Sequence, residues 1–184
     1  MSERLGPLPF AQMSASQQMV AQAVIDGPRG ALYGPFIPLI RSPELMDAAQ
    51  RMGEYLRYHS AIGTRLSELA ILVTARQWNQ QVEWAIHAPI ALEVGISADS
   101  IAAIAARRRP EDMGKEEAAV HDFCIELHQE RAVSDATYAT VCELFGERGV
   151  MDLTGINGYY TLLAMVMNTA RTAVPASSAA PLPT

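Results

Sequence analysis

An all-α fold of about eight helices is predicted by three features of the sequence. Apolar residues recur at three- and four-residue spacing along most of the 184-residue chain, which is the period of an amphipathic helix. No run of alternating β-branched and aromatic residues predicts a strand. Serine at helix starts and glycine or proline at helix ends divide the chain into segments.

Each helix is predicted from its own start and stop signals. Ser14 precedes an apolar pattern that ends at Gly27-Pro28, and Ser42-Pro43-Glu44 combines a capping hydroxyl, a first-turn proline and an early carboxylate. The third helix is apolar around nearly its whole circumference, so it is expected to be buried and central. The predicted helices span residues 14–25, 42–59, 65–78, 80–93, 98–106, 115–131, 134–145 and 150–172.

These helices are expected to form one domain over residues 1–174, followed by a flexible tail at 175–184. The phrases at 95–104 and 132–141 share a cap and an apolar spacing. They suggest an internal helical repeat, although common helix-start chemistry accounts for the likeness equally well. The glycines of the last helix, Gly155 and Gly158, predict a close helix approach or a ligand wall.

Composition and charge exclude several classes of partner. With 20 acidic and 14 basic residues the net charge is -6, the wrong sign for binding a nucleic acid. The basic run Arg107 to Arg109 is interpreted as a solvated helix end and turn. No apolar stretch is long enough to cross a membrane and no export signal is evident, so a cytoplasmic location is expected. The apolar last helix predicts a homo-oligomer, either a dimer or a hexamer.

The two cysteines, Cys124 and Cys142, stand 18 positions apart in apolar helical patterns. This spacing matches neither a redox pair nor a zinc site. Both are therefore expected to be buried, inert thiols.

Ionisable residues on otherwise apolar helices predict a candidate catalytic site. Glu83 and His87 are four residues apart, so they share a helix face and can form the hydrogen-bonded couple that a general acid or base needs. In an antiparallel hairpin around Trp78-Asn79, Glu68 and His87 lie about 15 Å and about 12 Å from the turn along the axis, so they can meet.

Structural interpretations of the same residues stay open. Glu68 can simply complement a helix dipole, and Glu83 with His87 can be a structural pair. Trp78 and Trp84 are typical core or interface residues. Carboxylates and imidazole suit several metal ions, but the HExxH pattern is absent, and neither a metal nor another cofactor is expected.

Motifs in a fixed order resemble a known family. They are R-x-x-E, A-R-x-W, V-E-W-A-x-H and G-I-S within residues 65–104, GPF-x-x-L-x-x-SPEL at 34–45, SDATYA at 134–139 and GYYTL-x-AM at 158–165. Together they resemble the longer members of the carboxymuconolactone decarboxylase family, whose helical fold is that of the alkylhydroperoxidases.

The resemblance implies roles for the site residues. Glu68 and His87 align with the glutamate and histidine of the peroxidase members, while Gln80 and Glu83 replace their two redox cysteines, so thiol-based peroxide reduction is not expected. The decarboxylation of a carboxylated lactone or enol-type substrate needs no thiol. His87 would be its acid, Glu83 would orient His87, and Glu68 would hold the proton network.

The substrate is expected to be a small anion. Gln80, Trp84 and Arg65 are the predicted substrate-binding residues, with Arg76 as an alternative cation. Two other interpretations of the chain remain. It is either a peroxiredoxin-like member without the redox cysteines, or an oligomer that binds a small molecule without chemistry.

Overall fold

The computed structural model describes residues 2–175 and 182–183, and over these ranges it contains helices and no strand. The predicted all-α class is confirmed. After a 3₁₀ helix at Phe10–Gln12, the α-helices are α1 Ala15–Asp26, α2 Phe36–Leu39, α3 Pro43–Tyr58, α4 Gly63–Gln77, α5 Gln81–Glu93, α6 Ala98–Ala105, α7 Lys115–Gln129 and α8 Asp135–Ala170.

The third predicted helix, α4, is the centre of the fold. Every residue from Leu66 to Arg76 is buried, and α4 packs against α3, α5, α6, α7 and α8. Its apolar circumference is therefore covered on all sides, as its sequence predicts. A charged side chain on α4 has little access to water, so it must find its partners on neighbouring helices.

The helix starts use the predicted serine caps with one exception. The hydroxyls of Ser14, Ser97 and Ser134 each accept a hydrogen bond from a backbone N–H in the first turn. Ser42 makes no such bond, so the predicted capping hydroxyl is wrong there. The proline at the first position of α3, Pro43, has no N–H of its own to be capped.

The last two predicted helices join in α8, which runs from Asp135 to Ala170 and is interrupted at Gly146. Gly146 has a φ of 67°, a conformation that glycine adopts without strain. A Cβ at Gly155 would lie 3.0 Å from a methyl carbon of Leu56, so this glycine allows the close approach of α3. Gly158 has open space around it, and nothing in its surroundings explains the glycine.

The predicted tail at 175–184 falls mostly outside the described residues, and the division of the chain at 174 stays a prediction. Leu182 is described and is buried. Its N–H donates to the side-chain oxygen of Gln81, and its carbonyl accepts from the amide of Gln81, at 2.8 and 3.1 Å. None of the described helices combines the length and hydropathy that a membrane crossing requires.

Candidate functional site

The hairpin of α4 and α5 joins two carboxylates to one imidazole. His87 Nδ1 lies 2.6 Å from Glu68 Oε2, and His87 Nε2 lies 3.2 Å from Glu83 Oε2. The contact between Glu68 and His87 crosses from one helix to the other, as the hairpin geometry predicts. All three side chains are buried, so each depends on the others to compensate for lost hydration.

A fourth charged group comes from α3. Arg57 Nε donates to Glu68 Oε1 at 3.1 Å, so Glu68 receives a hydrogen bond on each of its oxygens. Burial raises the pKa of Glu68, but the positive charges of His87 and Arg57 outweigh it, and the net pKa lies below its ordinary value. Glu68 is therefore an anion held between two cations.

His87 is a cation at neutral pH. Burial alone would lower its pKa, but the charge of Glu68 and the hydrogen bonds that the ring donates to Glu68 and Glu83 raise it from 6.5 to about 9. An imidazolium has an N–H on each ring nitrogen, and here each nitrogen faces a carboxylate oxygen. The site therefore stores a proton in its resting state.

Two tyrosines of α8 form one wall of the site. The ring of Tyr160 meets the ring of His87 edge to face, with centroids 5.3 Å apart. Tyr159 packs against Tyr160 in the same way, at 5.2 Å. A Cβ at Gly53 would lie only 2.2 Å from the hydroxyl of Tyr159, so glycine at this position of α3 makes room for the tyrosine.

The cavity beside His87 is small. Its volume is about 20 Å³, enough for about one water molecule. Residues 27–35 between α1 and α2, called here the connector, cover it with Arg29, Tyr33 and Pro35. Glu83 Oε1 is buried and accepts no hydrogen bond from any described residue. The cavity therefore contains one unused acceptor beside a stored proton.

The three residues predicted to bind substrate lie elsewhere. The Gln80 side chain caps the start of α5, accepting from Val82 N and donating to Asn168. Trp84 lines a separate apolar groove between α5 and α6. The guanidinium of Arg65 pairs with the carboxylates of α7, Glu116 and Glu117. None of the three lines the cavity beside His87, so the geometry does not support their predicted role.

Arg29 and Arg57 are the cations that sequence reasoning missed at this site, and the alternative cation, Arg76, lines a different cavity. Arg29 lies over the ring of Phe36, 4.9 Å from its centroid, and makes no salt bridge within the described residues. Arg29 belongs to a glycine- and proline-rich segment, and Arg57 belongs to an amphipathic helix. An arginine is common in both settings. None of the motifs singled out in the sequence contains either arginine, so no local signal pointed to them.

Redox and metal chemistry receive no support from the described residues. Cys124 is buried as predicted, and burial raises its pKa to about 12, whereas Cys142 is only half-buried, so the prediction is wrong for Cys142. Neither thiol lines the cavity beside His87. No three His, Cys, Asp or Glu side chains of the described ranges are placed to share a metal ion. His87 itself separates Glu68 from Glu83.

Comparison with known structures identifies the fold. An uncharacterized peroxidase-related protein from Ralstonia eutropha JMP134 with the alkylhydroperoxidase core is 18% identical, with a TM-score of 0.72 over 96% of this chain and 94% of the other. An uncharacterized peroxidase-related protein from Silicibacter sp. TM1040 is 14% identical, with a TM-score of 0.74 over 97% and 95%. This chain therefore has the alkylhydroperoxidase-like helical fold.

The sequence of the central helices also matches a family model. Residues 43–122 match the model of the carboxymuconolactone decarboxylase family, and the resemblance predicted from the motifs is confirmed over this segment. The match spans α3 to α6 and half of α7, so it includes Arg57, Glu68, Glu83 and His87. No curated protein matches the chain.

Proposed function

We propose that this chain is a cofactor-independent proton-transfer enzyme that decarboxylates a small carboxylated lactone or enol-type acid. The observation that carries the proposal is a buried imidazolium with both nitrogens held by carboxylates beside a small cavity. Loss of carbon dioxide leaves an electron pair that is delocalised as an enolate, and protonation of carbon completes the reaction.

His87 is the proposed acid, and its Nε2 proton is the one transferred. His87 and Glu83 both line the cavity, whereas Glu68 does not. The carbon–carboxylate bond breaks, its electrons move into the enolate, and the proton from Nε2 forms the new carbon–hydrogen bond. Glu83 orients that proton, while Glu68 is a positioning residue that fixes the ring through Nδ1.

Arg29 is the proposed partner of the substrate carboxylate. It lines the cavity and, among the described residues, no carboxylate forms a salt bridge with it. Arg57 is already paired with Glu68 and is a weaker candidate. Arginine binds a carboxylate through two parallel hydrogen bonds, so Arg29 can select for an acid and orient it.

Substrate entry requires the connector to move, because the closed cavity is far below the roughly 300 Å³ of a typical ligand site. The connector contains Gly30 and Gly34, both with positive φ values. Its displacement would remove Tyr33 and Pro35 from the mouth while α4 and α5 keep the charged groups in place. A rigid proton network under a movable cover is the arrangement that excludes water during protonation.

The test is turnover of carboxylated lactones and enol acids in D₂O, followed by NMR for product and for deuterium at the protonated carbon. His87→Ala is expected to reduce turnover at least about 100-fold, since general acid catalysis contributes that much or more. Glu68→Gln should reduce it less and change its pH profile. His59→Gln, at an exposed histidine that ends α3, is the matched control and should leave turnover unchanged.

A second candidate function is binding without chemistry, and it is favoured by the pairing of both His87 nitrogens and both Glu68 oxygens within the protein itself. The same experiment separates the two. Lactones that bind the wild-type protein without product or deuterium incorporation would support the binding protein. Equal turnover by the wild type and His87→Ala would exclude His87 as the acid.

A further inference from the structure

A second cavity, of about 250 Å³, lies where the ends of α4 and α6 meet α7. Its charged and titratable lining consists of Arg76, Arg107, Arg108, Arg109, His121 and Asp122. Four of these six side chains are guanidinium groups, and one is a carboxylate. The three arginines at 107–109 are exposed, as predicted for a solvated helix end and turn, and they also line this cavity together with an arginine from the central helix.

The single carboxylate is already used. Asp122 accepts two hydrogen bonds from Arg109, at 2.9 and 2.8 Å, and lies 3.0 Å from His121 Nδ1. Arg107 donates to the side-chain oxygen of Asn79 at 3.0 Å, and Arg76 donates to the same oxygen. One neutral amide thus faces two guanidinium groups. The cavity is therefore lined by more guanidinium groups than carboxylates among the described residues.

The arginine of α4 is the most informative member. Arg76 is 7% exposed, and its Nε is buried without a hydrogen-bond partner among the described residues. Burial, together with the charge of Arg107, lowers the pKa of Arg76 below its ordinary value. A buried donor that lacks an acceptor is destabilising, so an anion that reaches it would remove a cost that the empty cavity imposes.

We propose that this cavity binds a small phosphate monoester. A phosphate carries up to two negative charges at neutral pH and several acceptor oxygens, so it can serve Arg76, Arg107 and Arg108 together, whereas a carboxylate has one charge and two oxygens. The volume is just below the roughly 300 Å³ of typical ligand sites, which favours a short organic group on the phosphate.

The phosphate site is separate from the proton-transfer site. Glu68 and Arg76 are eight residues apart on α4, which is about 12 Å along the helix axis, and no residue lines both cavities. The proposal therefore does not depend on the chemistry assigned to His87. A ligand bound at Arg76 would contact α4, α6 and α7, while the substrate would contact α5, α8 and the connector.

The test is calorimetric titration of the full chain with glycerol phosphate, at constant ionic strength because surface charges are screened by salt. We expect one site per chain. Arg76→Met should weaken binding at least about 10-fold, as expected for lost charge-assisted hydrogen bonds, and Arg108→Ala should weaken it several-fold. Arg51→Ala removes the same charge from an exposed position on α3 that does not line the cavity, and its affinity should equal that of the wild type.

Glycerol and acetate serve as probes of the ligand class and should not bind measurably. Equal affinity of the wild type and Arg108→Ala for glycerol phosphate would overturn the proposal, even if Arg76→Met failed to fold. Binding of acetate as tight as that of glycerol phosphate would also overturn it, since that would show general attraction of anions. His87→Ala should keep full affinity for glycerol phosphate, so loss of turnover and loss of this site can be distinguished.

Discussion

Helix α4 buries one anion, Glu68, and one cation, Arg76, and their surroundings differ. Glu68 is held by His87 and Arg57, with each carboxylate oxygen in a charged hydrogen bond. Arg76 is held by a neutral amide and lies near another guanidinium, that of Arg107. The cavity beside the first group is about 20 Å³, and the cavity beside the second is about 250 Å³.

A ligand would therefore act differently at the two positions. Around Glu68 the protein supplies every counter-charge, so a substrate must insert beside an existing network and displace the connector. Around Arg76 the described residues leave positive charge without a partner, so the proposed ligand would complete the site. Removing one partner of a buried ion pair lowers the stability of the protein strongly, whereas an unpaired buried charge lowers the stability for as long as it is present.

The first prediction concerns Glu68, whose charge is fully paired with His87 and Arg57. Glu68→Ala leaves the His87 imidazolium and the Arg57 guanidinium facing each other without their shared anion. The free energy of unfolding should fall by about 3–5 kcal/mol, the usual cost of breaking a buried pair. Urea denaturation followed by far-UV circular dichroism measures it.

The matched control is Glu116→Ala, which removes a carboxylate from a half-exposed pair with Arg65. It should cost no more than about 1 kcal/mol, because exposed ion pairs contribute little. Equal losses of unfolding free energy in the two variants would contradict the prediction, because they would show that the buried pair of Glu68 stabilises the protein no more than an exposed pair.

Most of the fold could be predicted from the sequence because helix signals are local. The predicted ranges 65–78 and 80–93 differ from α4 and α5 by at most two residues at each end. Two features differ in kind: α2 at Phe36–Leu39 was not predicted, and the loop predicted between two helices around Gly146 is a single break inside α8. Helix periodicity does not tell whether a glycine separates two helices or only bends one.

The candidate site was predictable only where its members share one hairpin. Glu68 and His87 meet because axial distances along two adjacent helices can be worked out from residue numbers. Arg57 and Tyr160 come from α3 and α8, whose packing on α4 depends on the whole tertiary arrangement. For the same reason the sequence does not show that the exposed run at 107–109 lies beside Arg76, which is about thirty residues away along the chain.

The protonated imidazole of His87 predicts that the stability of the fold depends on pH. The pKa of His87 is about 9 in the folded state and near 6.5 when unfolded, so the folded state binds the proton more tightly. This stabilisation is fully present below pH 6.5 and is lost as the pH rises through 9. The free energy of unfolding should fall by about 2–3 kcal/mol between pH 6 and pH 9.5.

Urea denaturation at half-unit pH steps measures the slope, with His87→Gln as the comparison. The variant has no imidazole to titrate, so its curve should be flatter than that of the wild type over this range. Parallel curves for the two proteins would show that His87 is not a cation in the folded state.

The last prediction concerns Arg76, and it is the weakest expected effect on stability. Arg76→Met replaces a buried guanidinium by an uncharged side chain of similar length. In phosphate-free buffer the free energy of unfolding should stay within about 1 kcal/mol of the wild-type value or rise, because the lost hydrogen bond to Asn79 is offset by removal of a poorly compensated charge near Arg107. Thermal and urea unfolding measure it beside Glu68→Ala. If Arg76→Met instead lost as much stability as Glu68→Ala, the protein itself would satisfy the guanidinium, and the two ends of α4 would not differ as the geometry indicates.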